Sequence, residues 1–322
     1  MQVKEQTLTK RPMIVLTGPT AVGKTKLSIA LAEAVGGEII SADSMQVYRH
    51  MDIGSAKITP QEMRGIPHHM IDILEPREPF NVVVFKNKCE EILPGIYERG
   101  HIPVVTGGTG FYIQALLRDI DFTENEEDTE YRTYLEQLAQ REGARALHEM
   151  LEKVDPKAAE AIHQNNIKRT IRALEYFRLT GEKISLHNEQ ESEKGSAYRS
   201  AYFVLNDLRE RLYERIEQRI DEMLEKGLVE EVKKLRDMGC HRGMVSMQGL
   251  GYKEVLAYLE GETGYEEMID ILKRDTRHFA KRQLTWFRRE QDVIWVNKNE
   301  FQYDEGKILE YMLAELSAKK II

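Results

Sequence analysis

A chain of 322 residues with 41% hydrophobic and 31% charged residues can bury a sizeable core, which excludes disorder and suggests one large domain or two smaller ones. A formal charge of -8 argues against a protein that coats nucleic acid non-specifically, and no window reaches the roughly 18 apolar residues of a membrane span. Cys89 and Cys240 form no CxxC pair, so neither a zinc site nor a disulfide framework is expected, and a reducing compartment fits.

The opening MQVKEQTLTKR is polar and lacks an apolar leader, so a soluble, cytoplasmic protein is expected. MIVLTG at 13–18 reads as a buried strand. GPTAVGKT at 18–25 follows it, and Leu27, Ala30, Leu31, Ala34 and Val35 then recur at helical spacing until Gly36-Gly37 stops them. Strand, glycine-rich turn and helix together make Gly18-x-x-x-x-Gly23-Lys24-Thr25 a phosphate-binding loop. Its backbone N–H groups suit a di- or triphosphate, with Lys24 neutralising terminal oxygens and the Thr25 hydroxyl completing a Mg²⁺ shell. Thr20 either reaches a reacting group or faces solvent, and spacing leaves this open.

EIISADS at 38–44 and IPVVTGGTG at 102–110 are two further strands with polar ends. Strands alternating with helices predict a parallel sheet whose ligands lie beyond the strand carboxyl ends, so Asp43, Ser44, Thr106 and Thr109 should share a rim with the phosphate loop. Asp43 could hold Mg²⁺ through water, bind a sugar hydroxyl or act as general base. No helix clearly starts there and Ser44 could cap instead, which favours chemistry over capping. His68-His69 have no ligand-spaced partner, so no metal is expected there.

ENEEDTE at 124–130 is strongly acidic, and from 121 to 199 the strand signal gives way to helical punctuation. Asp155-Pro156 reads as an N-cap followed by a first-turn proline, and Gly181 closes a helix running from Ile167 to Leu179. HNEQESEKGSAYRS at 187–200 reads as an exposed polar loop leading to a core strand, AYFVLN at 201–206. The expected fold is therefore α/β: a P-loop NTPase-like core (1–120 and 200–322) with a central parallel sheet flanked by helices, plus a smaller all-helical insertion domain (121–199).

A long helix from about Asp207 carries Leu208, Leu212, Ile216 and Ile220 on its buried stripe and Arg211, Arg215 and Arg219 on an adjacent face. These arginines either pair with Glu210, Glu214 and Glu217 or stabilise a departing phosphate or pyrophosphate. A last helix covers 265–290 and a last strand is VIWVN at 293–297. Within the basic KRDTRHFAKRQLTWFRR at 273–289, Trp286 and Phe287 read as core, whereas Lys281, Arg282, Arg288 and Arg289 are candidate RNA contacts. Lys168, Arg169 and Arg172 form a smaller patch of the same kind.

GPTAVGKT (18–25), SADSMQVYRHMDIGSAK (41–57), GGTGFY (107–112), IKRTIRALE (167–175), LYERIEQRIDEML (212–224), GLGYKE (249–254) and KRQLTWFR (281–288) together make the chain resemble the bacterial tRNA dimethylallyltransferases, or tRNA isopentenyltransferases. The motifs run in family order over nearly the whole chain. The resemblance implies that Gly18, Pro19, Thr20, Ala21, Val22, Gly23, Lys24 and Thr25 hold the diphosphate of dimethylallyl diphosphate. It also implies that the dimethylallyl group passes to N6 of adenosine 37 in a tRNA anticodon stem-loop, and that pyrophosphate leaves.

By the same resemblance Asp43 is the general base, Thr20 orients the reacting groups, and Arg219, with Lys24 and Mg²⁺ at Thr25, carries the pyrophosphate charge. Asp43, Ser44, Met45, Gln46 and Thr109 would line the pocket for an extruded base. Gly251, Tyr252, Lys281, Arg282 and Gln283, with Lys168, Arg169 and Arg172 on the insertion, would contact the tRNA. The chain resembles the compact bacterial form, without the zinc finger that eukaryotic relatives often add, and a monomer is expected. The principal rival reading is a small-molecule or nucleotide kinase, because the same loop commonly binds ATP. Another is a non-catalytic RNA-binding NTPase switch.

Overall fold

The computed structural model describes residues 10–122 and 129–322, so most of the polar opening and most of the acidic run at 124–130 lie outside the described residues. Two compact units are present: residues 1–117 with 197–322, and residues 118–196.

The first unit is built on β1 (Pro12–Thr17), β2 (Gly37–Ser41), β3 (His68–His69), β4 (Ile102–Gly107), β5 (Arg199–Asn206) and β6 (Val293–Asn297). They form one sheet in the order β3-β2-β4-β1-β5-β6, and every pairing is parallel. Its helices are α1 (Lys24–Val35), α2 (Val82–Glu98), α3 (Gly110–Leu117), α9 (Arg209–Glu225), α10 (Leu228–Asp237), α11 (Tyr252–Leu259), α12 (Tyr265–Phe287) and α13 (Glu305–Ala318). Met13, Ile14, Val15 and Leu16 of β1 are all fully buried, as a central strand covered on both faces requires. Because all strands point the same way, residues just after β1, β2 and β4 meet at one edge, and this edge carries the phosphate loop.

Close backbone approach is what fixes that edge. Thr109 N donates to Ala42 O at 3.3 Å, and a Cβ on Gly107 would lie 2.2 Å from the same oxygen. Gly107→Ala is therefore expected to destabilise the fold by about 3 kcal/mol, read as a lower urea midpoint at unchanged slope.

The second unit contains α4 (Thr129–Glu142), α5 (Ala144–Val154), α6 (Pro156–Ala161), α7 (Ile167–Thr180) and α8 (Ile184–Glu193). It has its own apolar core, including Leu135, Leu147, Leu151, Ile171 and Leu174. Asp155 caps α6 by accepting from Ala158 N at 3.1 Å, and Gly181 closes α7 in the left-handed region. The segment read as a polar loop is in fact helical as far as Glu193. It lacks an apolar stripe, and its start is held by Ser185, whose amide and hydroxyl donate to Asp155 at 2.9 and 2.7 Å.

The long helix read from Asp207 begins at Arg209. Leu208 is its N-cap and is 51% exposed, so the buried stripe is Leu212, Ile216 and Ile220 alone.

Candidate active site

β1 ends at Thr17 and the chain turns sharply through Gly18, whose φ is +147° and whose Cβ would lie 2.5 Å from Leu205 O. Only glycine fits both constraints. Gly23, at φ +100°, then starts α1, so the loop delivers its N–H groups to a helix N-terminus.

Cationic side chains hold the carbonyls of this loop. Lys24 Nζ donates to Gly18 O at 2.9 Å and Pro19 O at 2.8 Å, Arg215 Nε to Ala21 O at 2.7 Å, and Lys298 Nζ to Val22 O at 3.2 Å. Lys298 escaped sequence reading, although its position directly after β6, on the same rim, was the available signal. Burial, with Arg219 nearby, pushes Lys24 down to about 7, against an opposing pull from Asp43. Arg219 is likewise lowered by burial, and its Nη1 lies 3.5 Å from Thr20 Oγ1.

Two readings stood open for the arginines of α9, and two of the three side chains turn to the loop and not to the helix glutamates. Arg211 faces Asp207 at 3.7 Å, Arg215 and Arg219 face the phosphate loop, and Glu217 pairs instead with Arg277 at 2.6 Å.

The loop opens on a cavity of about 930 Å³. Thr20, Ala21, Gly23, Lys24 and Thr25 line it on the phosphate side, while Gly18, Pro19 and Val22 do not. Asp43, Ser44, Met45, Gln46 and Thr109 line it too, with Arg215, Arg219, Gly251, Arg282 and Gln283. Cations therefore concentrate here in a chain whose formal charge is -8. Phe80, Tyr112 and Phe279 add an aromatic wall that no sequence pattern announced.

Asp43 itself holds the turn that follows, a task Ser44 could have taken in its place. Its Oδ1 accepts from Met45 N at 2.8 Å and Gln46 N at 3.3 Å, and Oδ2 carries no hydrogen bond among the described residues.

Two residues expected to contact RNA, Tyr252 and Gln283, have buried side chains. Tyr252 is fully buried and its hydroxyl donates to Glu231 Oε1 at 2.8 Å, so it stands behind the cavity wall. Gln283 is 6% exposed; it accepts from Thr20 N at 2.9 Å and donates to Gly108 O at 3.0 Å, acting as a strut between two loops. Phe287 is buried, and Trp286 packs against Phe111, as a core reading requires. Lys281 is exposed on α12 outside the cavity lining, and Lys168, Arg169 and Arg172 are exposed on α7 of the second unit. Among the described residues, no cluster of three His, Cys, Asp or Glu could hold a metal, and no helix is long and apolar enough to cross a membrane.

The family model described as IPP transferase matches residues 46–290, and one described as isopentenyl transferase matches residues 12–73. The chain belongs to the IPP transferase family. A tRNA dimethylallyltransferase of Lachnoclostridium phytofermentans is 63% identical over 97% of this chain and 99% of its own length. One from Acetivibrio thermocellus is 49% identical over 94% and 97%. Among solved structures, the tRNA isopentenylpyrophosphate transferase of Bacillus halodurans is 45% identical with a TM-score of 0.72, covering 97% of this chain and 98% of that one. A eukaryotic dimethylallyltransferase acting on tRNA is 31% identical with a TM-score of 0.78, covering 89% and 74%. The P-loop-like core is thus the family's fold.

Proposed function

We propose that this member of the family transfers the dimethylallyl group from dimethylallyl diphosphate to N6 of adenosine 37 in tRNA, releasing pyrophosphate. The observation that carries this reading is a single cavity joining a cation-lined phosphate loop to one carboxylate, Asp43.

The exocyclic amine attacks C1 of the dimethylallyl group, the C–O bond to the diphosphate breaks, and pyrophosphate departs with the bonding electrons. The amine proton passes to Asp43, whose Oδ2 carries no hydrogen bond among the described residues. An adenine amine is a poor nucleophile, so removing its proton as the C–N bond forms lowers the barrier. Lys24, Arg219 and the loop N–H groups stabilise the charge growing on the leaving oxygens, and Thr20, beside Arg219, orients the reacting end.

Mg²⁺ fits the donors present. Thr25 offers one hydroxyl in the first turn of α1, and the diphosphate would supply further oxygens, matching an ion that keeps several waters. When bound, the ion would neutralise leaving-group charge.

Ser44, Met45, Gln46 and Thr109 receive the extruded base. Arg282 at the cavity, with Lys281, Lys168, Arg169 and Arg172 on exposed helix faces, meets the phosphates of the anticodon stem-loop, and the enzyme acts as a cytoplasmic monomer. Replacing Lys281 or Arg282 by Ala is expected to weaken stem-loop binding and flatten the log Kd against log salt slope by about 0.7 per lost contact. An unchanged slope would exclude that phosphate contact.

Nucleoside mass spectrometry on unmodified tRNA incubated with the protein and Mg²⁺ tests the reaction. N6-dimethylallyladenosine with dimethylallyl diphosphate, and none when ATP replaces it, is expected. Absence of the modified base together with ATP consumption would establish a kinase instead.

A further inference from the structure

Glu231, on α10, lies outside every motif that pointed to the site. It is 9% exposed, and its carboxylate accepts from Asp52 N at 2.8 Å, Ile53 N at 2.7 Å, Gly54 N at 3.0 Å and Tyr252 Oη at 2.8 Å. Three consecutive backbone N–H groups and a phenol therefore converge on one anion, an arrangement that only a pure acceptor satisfies. The approach is tight: a Cβ on Gly54 would lie 2.6 Å from Tyr252 Cζ, so residue 54 must be glycine for the tyrosine to reach the carboxylate.

The segment held in this way continues into the cavity. Gln46 Nε2 donates to Ser55 O at 3.4 Å and Ala56 O at 3.3 Å, while Gln46 Oε1 accepts from Ser41 Oγ at 3.2 Å. Both ends of the Gln46 amide are thus oriented, and its backbone N–H in turn donates to Asp43 Oδ1. Gln46, Gly54, Ser55, Ala56 and Asp43 all line the cavity, whereas Glu231 does not.

We propose that Glu231 is a positioning residue for the reacting adenosine: it anchors residues 52–54, whose continuation sets the direction of the Gln46 amide beside Asp43. The inference rests on the reading above that the base is received there. Glu231 touches neither substrate. It acts on the RNA side of the cavity and leaves the phosphate loop alone, and Tyr252 serves as the fourth donor.

A double-mutant cycle on the full chain, with an anticodon stem-loop as RNA and saturating dimethylallyl diphosphate, tests this. Glu231→Gln sets an amide NH2 against backbone donors, and kcat/KM for the RNA is expected to fall about tenfold or more. The Kd for inorganic pyrophosphate should stay within about twofold, and adding Glu231→Gln to Gln46→Ala should cost no more than about twofold beyond the single Gln46 change. Losses that multiply, or pyrophosphate binding that weakens in step with RNA turnover, would overturn the assignment.

Should Glu231→Gln not fold, Tyr252→Phe removes one donor of four and is expected to give a smaller loss in the same RNA parameter, again without adding to Gln46→Ala. Multiplying losses there would overturn it equally. The wild-type protein in the same assay separates this proposal from the one beneath it: no dimethylallylated RNA from wild type sinks the reaction itself, whereas normal wild-type product with multiplying losses sinks only the role of Glu231.

Discussion

Asp43→Asn is expected to lower the rate of dimethylallyl transfer by roughly 10²- to 10⁴-fold, the range typical of a lost general base, while stem-loop affinity changes little. Asparagine is the informative substitution because it separates the observed holding of the turn by Oδ1 from the proposed proton transfer to the other oxygen. Oδ1 holds the amides of Met45 and Gln46, a task an amide oxygen performs equally well. The other position becomes an NH2, which cannot take a proton from the adenine amine. Single-turnover rates and stem-loop titrations on the same preparation check the split. Alanine would remove both jobs and blur the result. Equal losses of rate and RNA affinity in Asp43→Asn would assign Asp43 to holding the pocket instead of the chemistry.

The affinity for dimethylallyl diphosphate is expected to fall as pH rises above about 7, where Lys24 loses its proton in the empty loop. A bound diphosphate favours charged lysine and raises its pKa, so binding in this range takes up a proton and Kd grows about tenfold per pH unit. Below pH 7 Lys24 is already charged and contributes no slope. Calorimetry in buffers of different ionisation heat should detect the proton, and Lys24→Met should abolish both the uptake and the slope. A slope that persists in Lys24→Met would place the titrating group elsewhere.

Stability runs the other way. The folded pKa of Lys24 lies below its unfolded value of 10.5, so between about 7 and 10.5 the unfolded chain binds more protons and the empty protein gains stability with rising pH. Lys24→Met should therefore flatten the rise of the empty protein's melting temperature between about pH 7 and 10.5 even as it removes diphosphate binding.

Much of this site was legible in the sequence because its parts are local. Gly18, Gly23, Lys24 and Thr25 sit at fixed spacing between a strand and a helix, and Asp43 follows a buried strand, so its rim position came from the parallel-sheet rule alone. Spacing left Arg219 ambiguous because a helix presents Arg211, Arg215 and Arg219 alike; the family resemblance singled it out, and loop contacts set Arg215 and Arg219 apart from Arg211. Residues that support the site were hidden for a different reason. Glu231 bonds to residues 177 to 179 positions away, and Gln283 to one 263 positions away, distances at which composition and periodicity carry no signal. The helix ending at Glu193 was missed because a helix polar all round has no periodic stripe to read.

The boundary at 117 and 197 has a consequence for how such a chain can change over time. Ala197 N donates to Leu117 O at 2.7 Å, so the backbone leaving the catalytic unit and the backbone re-entering it are already neighbours. Whatever lies between them is, to the sheet, a loop whose ends are pinned. The entropy of closing such a loop grows only with the logarithm of its length. The intervening helices can lengthen, shorten or be exchanged with little penalty to the strands that shape the cavity. Change within the inserted helices can thus proceed largely apart from change in the sheet that carries the phosphate loop.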